Sequence, residues 1–256
     1  MSQSTDDLTA NHLAGKRVVI TGGGSGIGAD MALAFAQAGA EVIITGRRET
    51  ALQAVAQQHG GIHVAVVDVT DEAAMVAFFN QLGSVDIVIA NAGAAESAPF
   101  AKTSFEQWQH MLNVNLSGVF LTLREGLKQL NDGGRLIAVA STAGLKGYAY
   151  VGAYCAAKHG VVGLVRSLAA ETATRNLTVN ALCPGFTDTP LLAGSVENIV
   201  TKTGQSAEQA TAHFQSTNPT GRLVTPAEVT ATALWLCGPN SGAINGQAIS
   251  ISGGEV

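Results

Sequence analysis

The chain has 256 residues, of which 46% are hydrophobic, 5% aromatic and 13% charged, with 30 glycines. That is the composition of a globular protein with a large core and many tight turns. A net charge of -5, and no basic cluster longer than Arg47-Arg48, leave no footprint for non-specific nucleic-acid binding.

Three cysteines (Cys155, Cys183 and Cys237) form no CxxC pair. An odd count is a poor disulfide framework, so a reducing compartment is expected. The polar, acidic N-terminus lacks the order of a signal peptide, and no apolar run is long enough for a bilayer. The expectation is a cytoplasmic protein without membrane contact, with a loose arm over 1–13 and a single domain over 14–256.

In chain order, RVVIT (17–21) predicts a strand and 26–39 a helix that Gly39 stops. A strand at 41–45 and a helix at 49–58 follow, then a strand at 63–69 and a helix at 71–82. DIVIAN (86–91) is the fourth strand. One long helix is expected over 104–130. A strand at 135–141, a helix at 152–174, a strand at 177–182, a helix at 226–237 and a last strand at 247–252 complete the pattern. Continuous apolar strands alternating with helices predict a doubly wound, Rossmann-like α/β fold: about seven parallel strands with helices on both faces. Only 186–222 breaks the rhythm. It is polar, rich in Thr and Ser, and too long for an ordinary connection, so it is expected to be a substrate loop or lid.

TGGGSGIG (21–28) lies between the first strand and the first helix. There, glycines let the main chain approach a pyrophosphate whose charge the helix N-terminus attracts. A flexible turn would satisfy the same residues. The spacing is TGxxxGxG rather than the GxGxxG of the dinucleotide fingerprint. YCAAK (154–158) sets Tyr154 and Lys158 on one helix face. A nearby ammonium favours the phenolate and is expected to lower the tyrosine's pKa, while the phenol can donate its proton to a forming alkoxide. The intervening alanines would leave room for a cofactor. Tyr148 and Tyr150 are rivals, but neither has a lysine four residues on.

TGxxxGxG, NAG (91–93), Asn115 in VNLSG, Ser141, YxxxK, PGFTDTP (184–190) and SGG (252–254) occur together and in order. With these marks the chain, over about 14–254, resembles the short-chain dehydrogenase/reductase family. The resemblance implies an NAD(P)-dependent enzyme transferring hydride between a nicotinamide and a carbonyl or secondary alcohol. It implies catalytic roles for Asn115, Ser141, Tyr154 and Lys158, with Ser141 orienting the substrate oxygen and Asn115 helping to hold a proton-relaying water. Thr142 and Asn113 are the neighbouring decoys. The implied cofactor contacts are Gly22, Gly24, Ser25, Gly26, Ile27, Gly28, Arg47, Asp68, Val69, Asn91, Ala92, Gly93, Pro184, Gly185 and Thr187, besides Tyr154 and Lys158. Asp68 or Thr70 could equally cap the next helix. No metal is called for.

Family members that prefer NAD usually carry Asp or Glu at the end of the second strand. Here that position is Gly46, and Arg47 could pair with a 2′-phosphate bidentately, although Glu49 could offset its charge. NADP(H) is therefore favoured over NAD(H). The expected substrate is a small carbonyl compound: a ketone or 3-oxoacyl thioester, whose carrier Arg124, Lys128, Arg166 and Arg175 could meet. An NAD-dependent polyol, sugar or cyclic-alcohol dehydrogenase is the alternative, to which Glu96 would contribute unless it is merely a solvated carboxylate. A cofactor-sensing regulator without catalysis is a reading from another class. The resemblance also implies a homo-oligomer, dimer or tetramer, through 104–130 and 152–174.

Overall fold

The computed structural model describes residues 12–256. Most of the expected arm, 1–11, lies outside the described residues. Leu13 does not belong to an arm: it is 2% exposed in the core, and its N–H donates to the Ala38 carbonyl.

Seven strands form one parallel sheet. They are β1 (Arg17–Thr21), β2 (Glu41–Gly46), β3 (Ile62–Val66), β4 (Val85–Ala90), β5 (Leu130–Val139), β6 (Thr178–Pro184) and β7 (Ala248–Ile251). Their order is β3-β2-β1-β4-β5-β6-β7, so the direction of winding reverses between β1 and β4. Successive side chains point to opposite faces, and both faces are apolar here. Val18, Ile20, Val42, Ile44, Ile87 and Ile89 enter one core; Val19, Ile43, Val88 and Ala90 enter the other.

Helices α1 (Gly26–Gln37), α2 (Glu49–Ala56) and α9 (Pro226–Cys237) cover the first face through Phe35, Leu52 and Val229. Helices α3 (Glu72–Leu82), α5 (Gly118–Gln129) and α6 (Gly152–Glu171) cover the second through Phe79, Val119 and Val165. Fully burying side chains of this size stabilises by about 1.5–3 kcal/mol each, which is why two cores can hold one sheet.

The single helix expected over 104–130 is instead α4 (Phe105–Leu112), a π turn over Asn113–Ser117, and α5. The region 186–222, expected to be a loop, carries two more helices, α7 (Pro190–Thr203) and α8 (Ala207–Thr217). Each has an ordinary start signal: Thr189 caps α7 ahead of a proline, and Ser206 with Gln209 forms a capping box on α8. Their mixed polar faces hid the helical period. Among the described residues no helix is long and apolar enough to cross a membrane.

Candidate active site

A cleft of about 2110 Å³ opens along the carboxyl ends of the strands, at the reversal of winding. Ligand pockets of about 300–1,000 Å³ enclose drug-sized molecules, so this one has room for two ligands side by side. Gly22, Gly24, Ser25, Gly26 and Ile27 line one end of it. Gly28 lies beneath. A Cβ there would sit 2.4 Å from the Gly22 carbonyl and from Nδ2 of Asn91, so only glycine lets the loop close on α1. Asn91 braces the turn, its amide donating to the Thr21 and Gly22 carbonyls at 2.9 and 3.3 Å.

Gly46, Arg47, Asp68, Val69, Ala92 and Gly93 continue the lining. Arg47 makes no ion pair among the described residues, and Glu49 does not engage it. Asp68 does not cap α3, and nor does Thr70; Asp71 does, accepting from the Ala74 N–H. Asp68 instead accepts from the Thr70 N–H and hydroxyl at 2.9 and 2.8 Å. Burial pushes its carboxyl up, but the Thr70 bonds and the Arg47 charge prevail and hold it below the usual range. Nearby, Glu96 is not purely solvated, because His110 lies 3.7 Å from its carboxylate.

In the middle of the cleft, the structure brings Ser141, Tyr154 and Lys158 together. Ser141 follows β5 and accepts from the Ala143 N–H at 3.1 Å, and its hydroxyl is near enough to that of Tyr154 to favour the phenolate. Thr142, the decoy, is buried and bonded to the Tyr148 hydroxyl at 2.7 Å. Lys158 is 3% exposed; its Nζ donates to the Val139 carbonyl at 2.8 Å and lies 5.6 Å from the centre of the Tyr154 ring.

The expected lowering of the tyrosine's pKa does not occur. Burial pushes Tyr154 up to about 12 against the opposing Ser141 hydroxyl. Burial also brings Lys158 down to about 8. The alanines of YCAAK do not open room for a ligand either. Ala157 is packed in the interior and Ala156 faces outward, and neither lines the cleft.

Asn115 sits in the π turn and is fully buried, unlike exposed Asn113. Its amide group donates to the carbonyls of Ala94 and Met111, and its Oδ1 accepts from the Ala94 N–H at 3.1 Å. It thereby straps down the loop after β4. A Cβ on Gly93 would lie 3.0 Å from that Oδ1 and 3.9 Å from Nζ of Lys158, so the three residues converge.

Pro184 and Gly185 end β6 on the cavity wall, and Thr187 donates to the Gly185 carbonyl at 2.9 Å. Beyond them α7 and α8 roof the cleft. Tyr148, Phe186 and Phe214 make an aromatic wall with ring centroids 5.6 and 4.7 Å apart. Phe214 lies in the 186–222 segment expected over the substrate, but it is the unrecognised α8 that delivers it. Sequence reasoning missed Glu255, the penultimate residue, whose carboxylate binds Tyr148 and Lys146 and for which no local signal exists.

Residues 22–255 match the family model described as enoyl-(acyl carrier protein) reductase. The chain is 37% identical to the D-beta-hydroxybutyrate dehydrogenase of Cupriavidus necator, over 95% of this chain and 99% of that protein. It is 33% identical to the 3-oxoacyl-(acyl-carrier-protein) reductase FabG of Aquifex aeolicus, over 94% and 98%. A crystal structure of an actinorhodin polyketide ketoreductase variant with NADPH superposes with a TM-score of 0.86 at 32% identity, covering 96% of this chain and 98% of that one. Together with the cleft at the winding reversal, these likenesses define an NAD(P)-dependent oxidoreductase. The chain belongs to the short-chain dehydrogenase/reductase family, as its motifs had implied.

Proposed function

We propose that the chain uses NADPH to reduce a ketone or a 3-oxoacyl thioester. The observation that carries this reading is the Ser141–Tyr154 pair on the cavity wall, with the tyrosine's pKa near 12. At neutral pH that phenol is protonated, and a protonated acid is what carbonyl reduction needs. Ser141 and Tyr154 present two hydroxyls to one substrate oxygen. Such donors stabilise the charge that develops there. Tyr154 then gives up its proton to that oxygen. Lys158, cationic below about pH 8, favours the phenolate left behind. Asn115 acts as a positioning residue, since it fixes the Ala94 loop beside Gly93.

The residues present fit a dinucleotide. Gly22, Gly24 and Gly26 bring the main chain to the cleft wall without side chains, and Arg47, on the same lining, makes no ion pair among the described residues and is free for a 2′-phosphate. When bound, NADPH supplies the hydride. The aromatic wall of Tyr148, Phe186 and Phe214 suits an acyl chain or a ring. At the other candidate surface, Arg124 and Lys128 already pair with Glu72 and Glu125, so among its four cations only Arg166 and Arg175 make no ion pair among the described residues.

A second reading is oxidation of a small hydroxy acid with NAD. The D-beta-hydroxybutyrate dehydrogenase relative favours it, as does Lys202 on the cavity lining, a cation for a carboxylate. Binding of NADPH and NADH side by side, read by quenching of intrinsic fluorescence, tests the two. Tighter NADPH binding with turnover of a ketone supports the reductase. Tighter NADH binding with hydroxy-acid oxidation replaces it.

A further inference from the structure

The C-terminal tail brings a carboxylate to the back of the substrate wall. After β7 the chain turns through Gly253 (φ 63°) and Gly254 (φ 94°). A Cβ on Gly253 would strike Oδ1 of Asn218, at the end of α8, so the turn depends on glycine and packs the tail against the roof of the cleft. The turn delivers Glu255 with its side chain 2% exposed. A buried carboxylate is unfavourable unless paired.

Glu255 is paired on one oxygen only. Its Oε1 accepts from the Tyr148 hydroxyl at 2.6 Å and from Nζ of Lys146 at 2.9 Å. Its Oε2 is buried and makes no hydrogen bond among the described residues, and a Cβ on Gly185 would lie 3.3 Å from it. Since Tyr148 spends its one proton on Glu255, the 2.7 Å bond to Thr142 must run from the threonine hydroxyl to the tyrosine oxygen. Burial and the carboxylate together push the Tyr148 pKa up, so the phenol stays a donor. Thr142 adjoins Ser141. On its other side, the Tyr148 ring meets Phe186 edge-on, and Phe186 leans on Phe214 of α8.

We infer that Glu255 is a positioning residue for substrate selection: through Tyr148 it fixes the aromatic wall that receives the part of the substrate remote from the carbonyl. This rests on the reductase reading proposed above. Glu255 itself does not line the cleft, whereas Tyr148, Phe186 and Phe214 do.

The test compares wild type, Glu255→Ala, Tyr148→Phe and the double variant, on a long-chain 3-oxoacyl thioester and on a small ketone, with NADPH. Each single variant is expected to raise KM for the long substrate by about tenfold, with kcat of Glu255→Ala within about threefold. KM of Glu255→Ala for the small ketone should hold, and the double variant should be no worse than the worse single one, because both changes break one device. Hydrogen exchange provides a readout independent of turnover: residues 142–150 should exchange faster in both single variants. Unchanged KM and exchange with only a lower Tm, or KM effects that multiply in the double variant, would overturn the inference. If wild type reduces neither carbonyl, the reductase reading fails, and the exchange data still decide whether Glu255 holds the wall.

Discussion

Nζ of Lys158 donates to the main-chain carbonyl of Val139 at 2.8 Å. The ammonium is therefore anchored to the end of β5, the strand that leads into Ser141. Tyr154, one turn earlier on α6, faces Ser141, and the lysine lies 5.6 Å from the centre of its ring. The three side chains are held at fixed places by one strand end and one helix face. The lysine meets the tyrosine as a cation beside its ring and not through a direct hydrogen bond.

If Tyr154 is the acid, Tyr154→Phe removes its proton while keeping its ring. Turnover should fall about 10²–10⁴-fold, the usual contribution of a positioned acid. NADPH affinity should stay within about threefold, since the ring is retained. Steady-state kinetics and fluorescence titration check both halves; substantial remaining turnover would take the role away from Tyr154.

The pH dependence follows from two groups whose values burial moves in opposite directions. Lys158 is cationic below about 8 and Tyr154 protonated below about 12. For ketone reduction, kcat/KM should be level through neutrality. It should fall first with an apparent pKa near 8, as the lysine loses its charge, and the tyrosine's own loss should come only at far higher pH. A profile rising through that region would mean that the tyrosine works as a base.

Arg47→Ala separates the two cofactors. A hydrogen bond to a charged group contributes about 1.5–3 kcal/mol, so NADPH should bind roughly tenfold to a hundredfold more weakly. NADH, lacking the 2′-phosphate, should be affected by less than about twofold. Equal losses for both would remove the phosphate argument.

Asn115→Ala should act on the fold as well as on catalysis. It leaves the Ala94 N–H and carbonyl and the Met111 carbonyl without their side-chain partner, beside a fully buried site. Buried groups left unsatisfied cost about 1–3 kcal/mol, which thermal unfolding will register as a lower Tm. An unchanged Tm would show that the strap on the Ala94 loop contributes little.

Period and order were enough to reach the sheet, most helices and the family. A strand apolar on both faces or a helix with a stop signal is readable within a few residues, and Pro226–Cys237 matches the expected 226–237. The glycine turn and the Tyr154–Lys158 spacing were readable for the same reason: neighbours in the chain fix them. Tertiary structure decided what depends on solvent and on distant partners. The pKa of Tyr154 rises because packing removes water from it, which no spacing encodes. The roof of α7 and α8 forms because capping residues and the cleft stabilise helices whose polar faces show little period. Glu255 meets Tyr148 across 107 residues of chain. Only the closure of the sheet could bring them together.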